Sequence, residues 1–136
     1  MIKPPKILVI KSKTSELKKV EVFLNETFKC YKLSKQGFNR VMLCVSEAVI
    51  NSIEHGNKNN ENKNVSIKAF CSEEDFSVIV KDEGEGYDIS NIDNPTLKQN
   101  LKKESGRGIH IIKSYCDNMK VNKNEILIHF KKVVCE

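Results

Sequence analysis

Apolar and polar positions along the chain fall into blocks of different period. The run Lys6-Ile7-Leu8-Val9-Ile10-Lys11, behind a Pro pair, predicts a short strand. Ser12 to Ser15 offers helix caps, with Thr14 or Ser15 as the start. Leu17, Val20, Phe23, Leu24 and Phe28 then recur at helical spacing and predict a first helix ending near Tyr31. Ser34 or Lys35 opens a longer second helix, with an apolar stripe of Val41, Val45, Val49 and Ile53 and with Met42, Ala48 and Ser52 beside it. Gly56 and the polar run 57–64 close it. Alternation then predicts a hairpin, Val65 to Cys71 and Phe76 to Asp82, turning at Ser72 to Asp75. Ile89 to Lys103 is polar, contains Asn94-Pro95 and reads as a lid or mobile loop. A third helix, Ile109 to Cys116, opens directly from Glu104-Ser105-Gly106-Arg107-Gly108. Met119 to Val121 and Glu125 to Val134 predict a last hairpin, turning at Asn122-Lys123-Asn124. Too few helices alternate with strands for a doubly wound parallel sheet. The order fits an α+β two-layer sandwich, helices packed on one face of a mixed, mostly antiparallel sheet, with residues 1–136 as one domain.

Composition narrows the class. With 39% apolar and 30% charged residues the chain is expected to be globular and soluble. No apolar run is long enough to cross a bilayer, and the start lacks a signal peptide's apolar block, so the cytoplasm is the expected location. Cys30, Cys44, Cys71, Cys116 and Cys135 are scattered and never form a CxxC pair, which reads as reduced, mostly buried thiols. A zinc site joining them to His55, His110 or His129 has no sequence-local support. The formal charge of +5 comes mostly from lysines mixed with Asn and Glu, without a basic stripe interleaved with aromatics. Direct nucleic-acid binding is therefore not expected.

Three stretches could carry chemistry. Opposite the apolar stripe of the second helix lie Glu47, Asn51 and Glu54, with His55 and Lys58 beside them. Asp82 stands where an apolar strand ends; a carboxylate there can accept a donor such as an exocyclic amine, while Gly84 and Gly86 let a flat ligand approach the backbone. Gly106-Arg107-Gly108 precedes a helix, whose free N–H groups and positive dipole end favour phosphate. Each stretch also has a plain reading, as a solvated helix face, a strand-end turn or a flexible loop before a cap. No GxxxxGK[ST] occurs and the glycines do not extend to GxGxxG, which disfavours a P-loop and a dinucleotide fold.

In combination they are more specific. Glu-x-x-x-Asn-x-x-x-His on a helix (Glu47, Asn51, His55), then Asp-x-Gly-x-Gly after a strand, then Gly-x-Gly before a helix, resembles the GHKL ATP-binding superfamily of gyrase, histidine kinases and the MutL repair proteins. The run from Glu47 to Gly56 looks most like the bacterial anti-sigma-factor serine/threonine kinases. The resemblance implies ATP and Mg2+ as ligands, with Asn51 on the metal and Glu47 as general base. It further implies that Asp82 accepts from adenine, that Gly84, Gly86 and Tyr87 frame the base, that His55 lines the pocket, and that Ser105, Gly106, Arg107, Gly108 and Ile109 wrap the phosphates. The partners implied are a sigma factor held inactive and an antagonist protein phosphorylated on serine or threonine; a homodimer is compatible with this. Two positions depart from the pattern. Glu104 stands near where these kinases often carry an arginine, and Asn124-Glu125 replaces a Gly-Thr pair before the last strand. Both leave open a non-catalytic nucleotide-binding switch that acts by occupying a partner.

Overall fold

The computed structural model describes residues 4–73, 75–85 and 104–131, with the backbone alone for 104–106. The helices are α1 (Leu17–Tyr31), α2 (Phe38–Asn51) and α3 (Glu104–Tyr115). The strands are β1 (Lys6–Lys11), β2 (Asn64–Ser72), β3 (Asp75–Lys81), β4 (Asn118–Asn122) and β5 (Glu125–Phe130). The strands form one sheet in the order β1-β2-β3-β5-β4. The sequence predicts a mixed sheet, but every pairing among the described residues is antiparallel. Two hairpins, β2–β3 and β4–β5, are joined through the antiparallel β3–β5 pairing; β4 therefore runs parallel to β3 with β5 between them, and α3 lies on the crossover connection between those two strands.

One face of the sheet carries the core. Val65, Ile67, Ala69 and Cys71 alternate inward on β2, Val78 and Val80 on β3, and Ile126, Ile128 and Phe130 on β5. Against them lie Val20, Leu24 and Phe28 of α1, Val41, Val45 and Val49 of α2, and Ile109 and Ile112 of α3. Phe28 packs edge-on to Phe38 at 5.2 Å and to Phe76 at 5.5 Å, tying both helices to β3. The other face is uncovered at β1, where Ile7 is 63% and Val9 56% exposed. The apolar run of β1 is thus buried on one side only.

Boundaries differ from the expected ones where tertiary contacts decide. The start of the second helix is a 3-10 turn, Lys35–Gly37, whose Ser34 cap accepts from the Gln36 N–H. A second 3-10 turn, Thr14–Glu16, precedes α1. β5 ends at Phe130, and the rest of the predicted strand lies outside the described residues, as does the predicted lid, Ile89 to Lys103. The largest shift is in α3. It begins at Glu104, so Gly106 and Gly108 lie inside the helix and not ahead of it. Glycine costs about 1 kcal/mol in a helix interior, but at Gly108 the missing side chain permits close approach to α2.

Candidate nucleotide site

The site is built on the end of α2. Burying Val41, Val45, Val49 and Ile53 turns Glu47 and Asn51, one helical turn apart, toward α3. Asn51 is only 2% exposed. Gly108 explains the fit, because a Cβ there would lie 3.2 Å from Glu47 Oε2 and 3.9 Å from Asn51 Oδ1. The helix then changes pitch. Ser52–Gly56 is a π turn, with the Asn57 N–H donating to the Ser52 carbonyl at 2.7 Å. Lys58 (φ 53°) and Asn59 (φ 59°) are left-handed, and the Asn59 N–H closes on the Ile53 carbonyl at 2.7 Å. The chain is thereby sent back toward β2.

Asp82 follows β3 directly and is 1% exposed. Its N–H donates to the Asn124 carbonyl at 3.0 Å, and its carbonyl accepts from Asn124 Nδ2 at 2.6 Å. Asn124, one of the two departures from the family pattern, is therefore the residue that clamps the Asp82 backbone to the β4–β5 turn. Oδ1 accepts from the Gly84 N–H at 2.8 Å, while Oδ2 has no partner among the described residues. Burial pushes the Asp82 carboxyl above its ordinary range, with the Gly84 N–H and the Lys63 charge pulling the other way. Two glycines make room. A Cβ on Gly56 would fall 2.2 Å from Asp82 Oδ2, and one on Gly84 would fall 2.0 Å from the Gly56 carbonyl oxygen. Close approach, not a positive φ, demands glycine at both places.

Asn57 holds this arrangement from behind. It is 1% exposed; Nδ2 donates to Ser12 Oγ at 2.8 Å and to the Asn64 carbonyl at 3.0 Å, and Oδ1 accepts from the Glu83 N–H at 2.8 Å. Ser12 Oγ in turn donates to the Lys63 carbonyl at 2.6 Å. One side chain thus joins the end of β1, the start of β2 and the residue after Asp82. Within the Asn-rich run 57–64 no local feature distinguishes this asparagine, and sequence reasoning misses it, along with Ser12 and the part Gly56 plays.

Two cavities open along this stretch. One, of about 350 Å³, is lined by His55, Gly56, Lys58, Lys63, Gly84 and Glu85. The other, of about 450 Å³, is lined by Thr14, Glu47, Asn51, Glu54, Arg107 and Ile111. Of the expected site residues, the structure gathers Asp82, Gly84 and His55 beside the first, and Glu47, Asn51 and Arg107 in the second, with Gly108 against Glu47 and Asn51. His55 and Arg107 are exposed, whereas the Ile109 side chain is fully buried in the core and can offer a ligand only its backbone. Ser105 and Gly106 lie in the first turn of α3, and Gly86 and Tyr87 lie outside the described residues.

The donor set suits a nucleotide with a hard cation. Asn51 Nδ2, Ser52 Oγ and Asp82 Oδ2 are buried without partners among the described residues, and such groups cost about 1–3 kcal/mol each until something meets them. One amide oxygen, from Asn51 with Glu47 Oε2 close by, suits magnesium when phosphates and waters complete its shell. Cys30, Cys44, Cys71 and Cys116 are free thiols, and no helix among the described residues is long and apolar enough to cross a membrane.

Comparison with known proteins agrees with this geometry. Residues 10–131 match the histidine kinase-like ATPase domain family. The chain is 39% identical over 82 residues to an anti-sigma F factor of Shouchella clausii, a match covering 57% of this chain and 54% of that protein, so it spans just over half that relative's length. It is 34% identical over 102 residues to an anti-sigma F factor of Clostridium perfringens strain SM101, covering 68% and 71%. It is 24% identical over 110 residues to the serine-protein kinase RsbW of Oceanobacillus iheyensis, covering 76% and 70%. With a helix-on-antiparallel-sheet fold and the family match over most of its length, the chain belongs to the histidine kinase-like ATPase domain family.

Proposed function

We propose that the protein is an ATP-dependent protein serine/threonine kinase that sequesters a sigma factor and phosphorylates its antagonist. The observation that carries this reading is the buried Asp82, with one carboxylate oxygen unpartnered among the described residues against Gly56 and Gly84. An acceptor fixed at the floor of a cleft suits the amino group of adenine, which offers donors only. The reading takes residues 1–136 as one domain working in the cytoplasm, alone or as a homodimer.

The roles follow from position. Asp82 Oδ2 takes the adenine amine and Gly84 leaves the base face open; the framing role expected of Gly86 and Tyr87 falls outside the described residues. His55 borders the ribose side, and Lys58 and Lys63 add positive charge to the same cavity. The backbone of 105–109 and the Arg107 guanidinium meet the phosphates. Asn51 would hold magnesium through its amide oxygen, and the ion would supply positive charge against the phosphate oxygens. Glu47 faces the cavity shared with Arg107 and takes the proton of a substrate serine as its oxygen bonds to the γ-phosphorus and the bond to ADP breaks. The new phosphate, doubly charged in a protein interface, weakens the antagonist complex and releases it.

The alternative is a switch that binds nucleotide without transferring phosphate. Glu104, where an arginine often stands in these kinases, favours it. Asn124 does not, since its amide holds the Asp82 backbone. Radiolabelled ATP with the purified chain and candidate antagonist proteins separates the two. The kinase reading expects transfer to a serine or threonine, abolished by Glu47→Ala with ATP affinity retained. Tight ATP binding with no transfer to any antagonist supports the switch. Absence of ATP binding refutes both.

A further inference from the structure

A cleft of about 600 Å³ opens between the last turn of α1 and the start of α2, and shares no lining residue with the cavities at Gly84 and Glu47. Its floor is apolar. Phe28 and Leu33 are buried, Phe38 is half-buried, and the edge-on contacts of Phe28 with Phe38 and Phe76 anchor that floor to the core. Its rim is cationic. Lys29, Lys32 and Lys35 are all exposed, and no carboxylate lines the cleft among the described residues. None of the three has a carboxylate partner among those residues, although lysines elsewhere on the surface pair with Glu16, Glu61 and Glu125. Lys32 holds the left-handed cap of α1 (φ 57°), with its N–H on the Phe28 and Lys29 carbonyls, so its backbone is set by the helix end.

We propose that this cleft docks an acidic segment of a protein partner. An aliphatic or aromatic side chain enters over Leu33 and Phe38, and flanking aspartates or glutamates pair with Lys29, Lys32 and Lys35. The apolar anchor supplies buried area, while the ammonium groups select for acidic partners and speed encounter. Charge complementarity alone would also admit a nucleic acid or an anionic bilayer. Phe28, at 5% exposed, offers no ring face, which leaves the half-buried Phe38 as a single ring where successive bases would need several, and a recessed floor is out of reach of a flat membrane. The inference is independent of the nucleotide reading, because it uses none of those residues.

The test is a selection of random short peptides on the immobilised full chain, followed by fluorescence polarisation with the peptides recovered. Lys29→Glu, Lys32→Glu and Lys35→Glu combined make the control, since all three side chains are solvent-exposed. Because Lys29 and Lys32 lie at the end of α1, the variant's circular dichroism and ATP affinity are checked against the parent, and Lys35→Glu alone, outside that helix, should weaken the peptides in the same direction. Recovered peptides should be enriched in Asp and Glu around an apolar residue and should weaken with salt. Each exposed pair contributes a factor of roughly 2–5, so the triple variant should bind them about tenfold more weakly or worse. Phosphatidylserine vesicles and single-stranded DNA serve as the other arms. The proposal fails if no peptide is recovered, if those recovered lack acidic residues or bind the triple variant equally, or if vesicles or DNA show the lysine dependence and peptides do not.

Discussion

Replacing Asp82 by asparagine tests the site at one atom. In the parent, Oδ1 is already bonded to the Gly84 N–H, and Oδ2 is the atom without a partner among the described residues. The Asp82→Asn variant can keep the Gly84 bond only by placing its amide nitrogen where Oδ2 stood. An acceptor becomes a donor, facing an adenine amine that is itself a donor. The lost bond is charge-assisted, worth about 1.5–3 kcal/mol. At 1.4 kcal/mol per factor of ten, ATP should bind roughly 10- to 150-fold more weakly. Inosine triphosphate carries a carbonyl where ATP carries the amine, so its affinity should hold or improve. Titration calorimetry with both nucleotides reads this directly. Stability supplies an independent check with a definite sign. Burial raises the folded pKa of Asp82 above its unfolded value, so the fold favours the protonated acid. The stabilisation is fully present below the unfolded value, about 3.9, and is lost as pH rises through the raised folded value. The amide of the variant does not titrate. The stability difference, variant minus parent, should therefore climb with pH across that window and level off above it. Equal ATP affinity in parent and variant would refute the placement of adenine on Oδ2, and urea midpoints that run parallel with pH would refute the burial-raised carboxyl.

Other expectations come from the packing. Gly84→Ala sets a Cβ 2.0 Å from a backbone oxygen that cannot rotate away, so unfolding in urea should show a loss of about 1–3 kcal/mol or more; an unchanged midpoint would mean the glycines are not in close contact. Asn57→Ala removes the buried partner of Ser12 Oγ and the side chain that ties it to the part-buried Glu83 N–H and Asn64 carbonyl, a loss of about 1–3 kcal/mol in all, and should weaken ATP binding as well because Glu83 adjoins Asp82; stability retained to within about 0.5 kcal/mol, on the order of an ordinary surface change, would dismiss the role. Burial, aided by the neighbouring Cys116, pushes the Cys44 thiol up to about 12, which leaves a thiolate fraction on the order of one in ten thousand at pH 8. Peptide mapping after brief alkylation of the native protein should therefore find Cys30 modified and Cys44 not.

How much of this was legible in the sequence depends on the reach of the force behind each feature. The strands of both hairpins and the stripe on α2 were readable because burial imposes a period of two or 3.6 on neighbouring residues. What failed was set from far along the chain. Ser-Ile-Glu-His-Gly carries no mark of a π turn; that pitch brings Gly56 onto Asp82 and Gly84, and only the folded contact requires it. The start of α3 was misplaced for the same reason. Propensity puts Gly106 and Gly108 outside a helix, whereas packing of Gly108 against Glu47 and Asn51 draws this turn in. Asn57 and Asn124 read as turn residues, and that is what their local sequence shows. Their amides join segments brought together only when the sheet closes: Asn57 links the ends of β1 and β2 to Glu83, and Asn124 holds both backbone groups of Asp82. The family motif marks the residues expected to meet a ligand because spacing on a helix or after a strand is local. It does not mark the residues that hold those in place, and here the two departures from that motif differ in kind. Asn124 supplies its own two-point clamp on Asp82, so its departure replaces one support by another. Glu104 opens α3, on the side proposed for the phosphates, and it is there, not at the base, that transfer and mere binding are to be told apart.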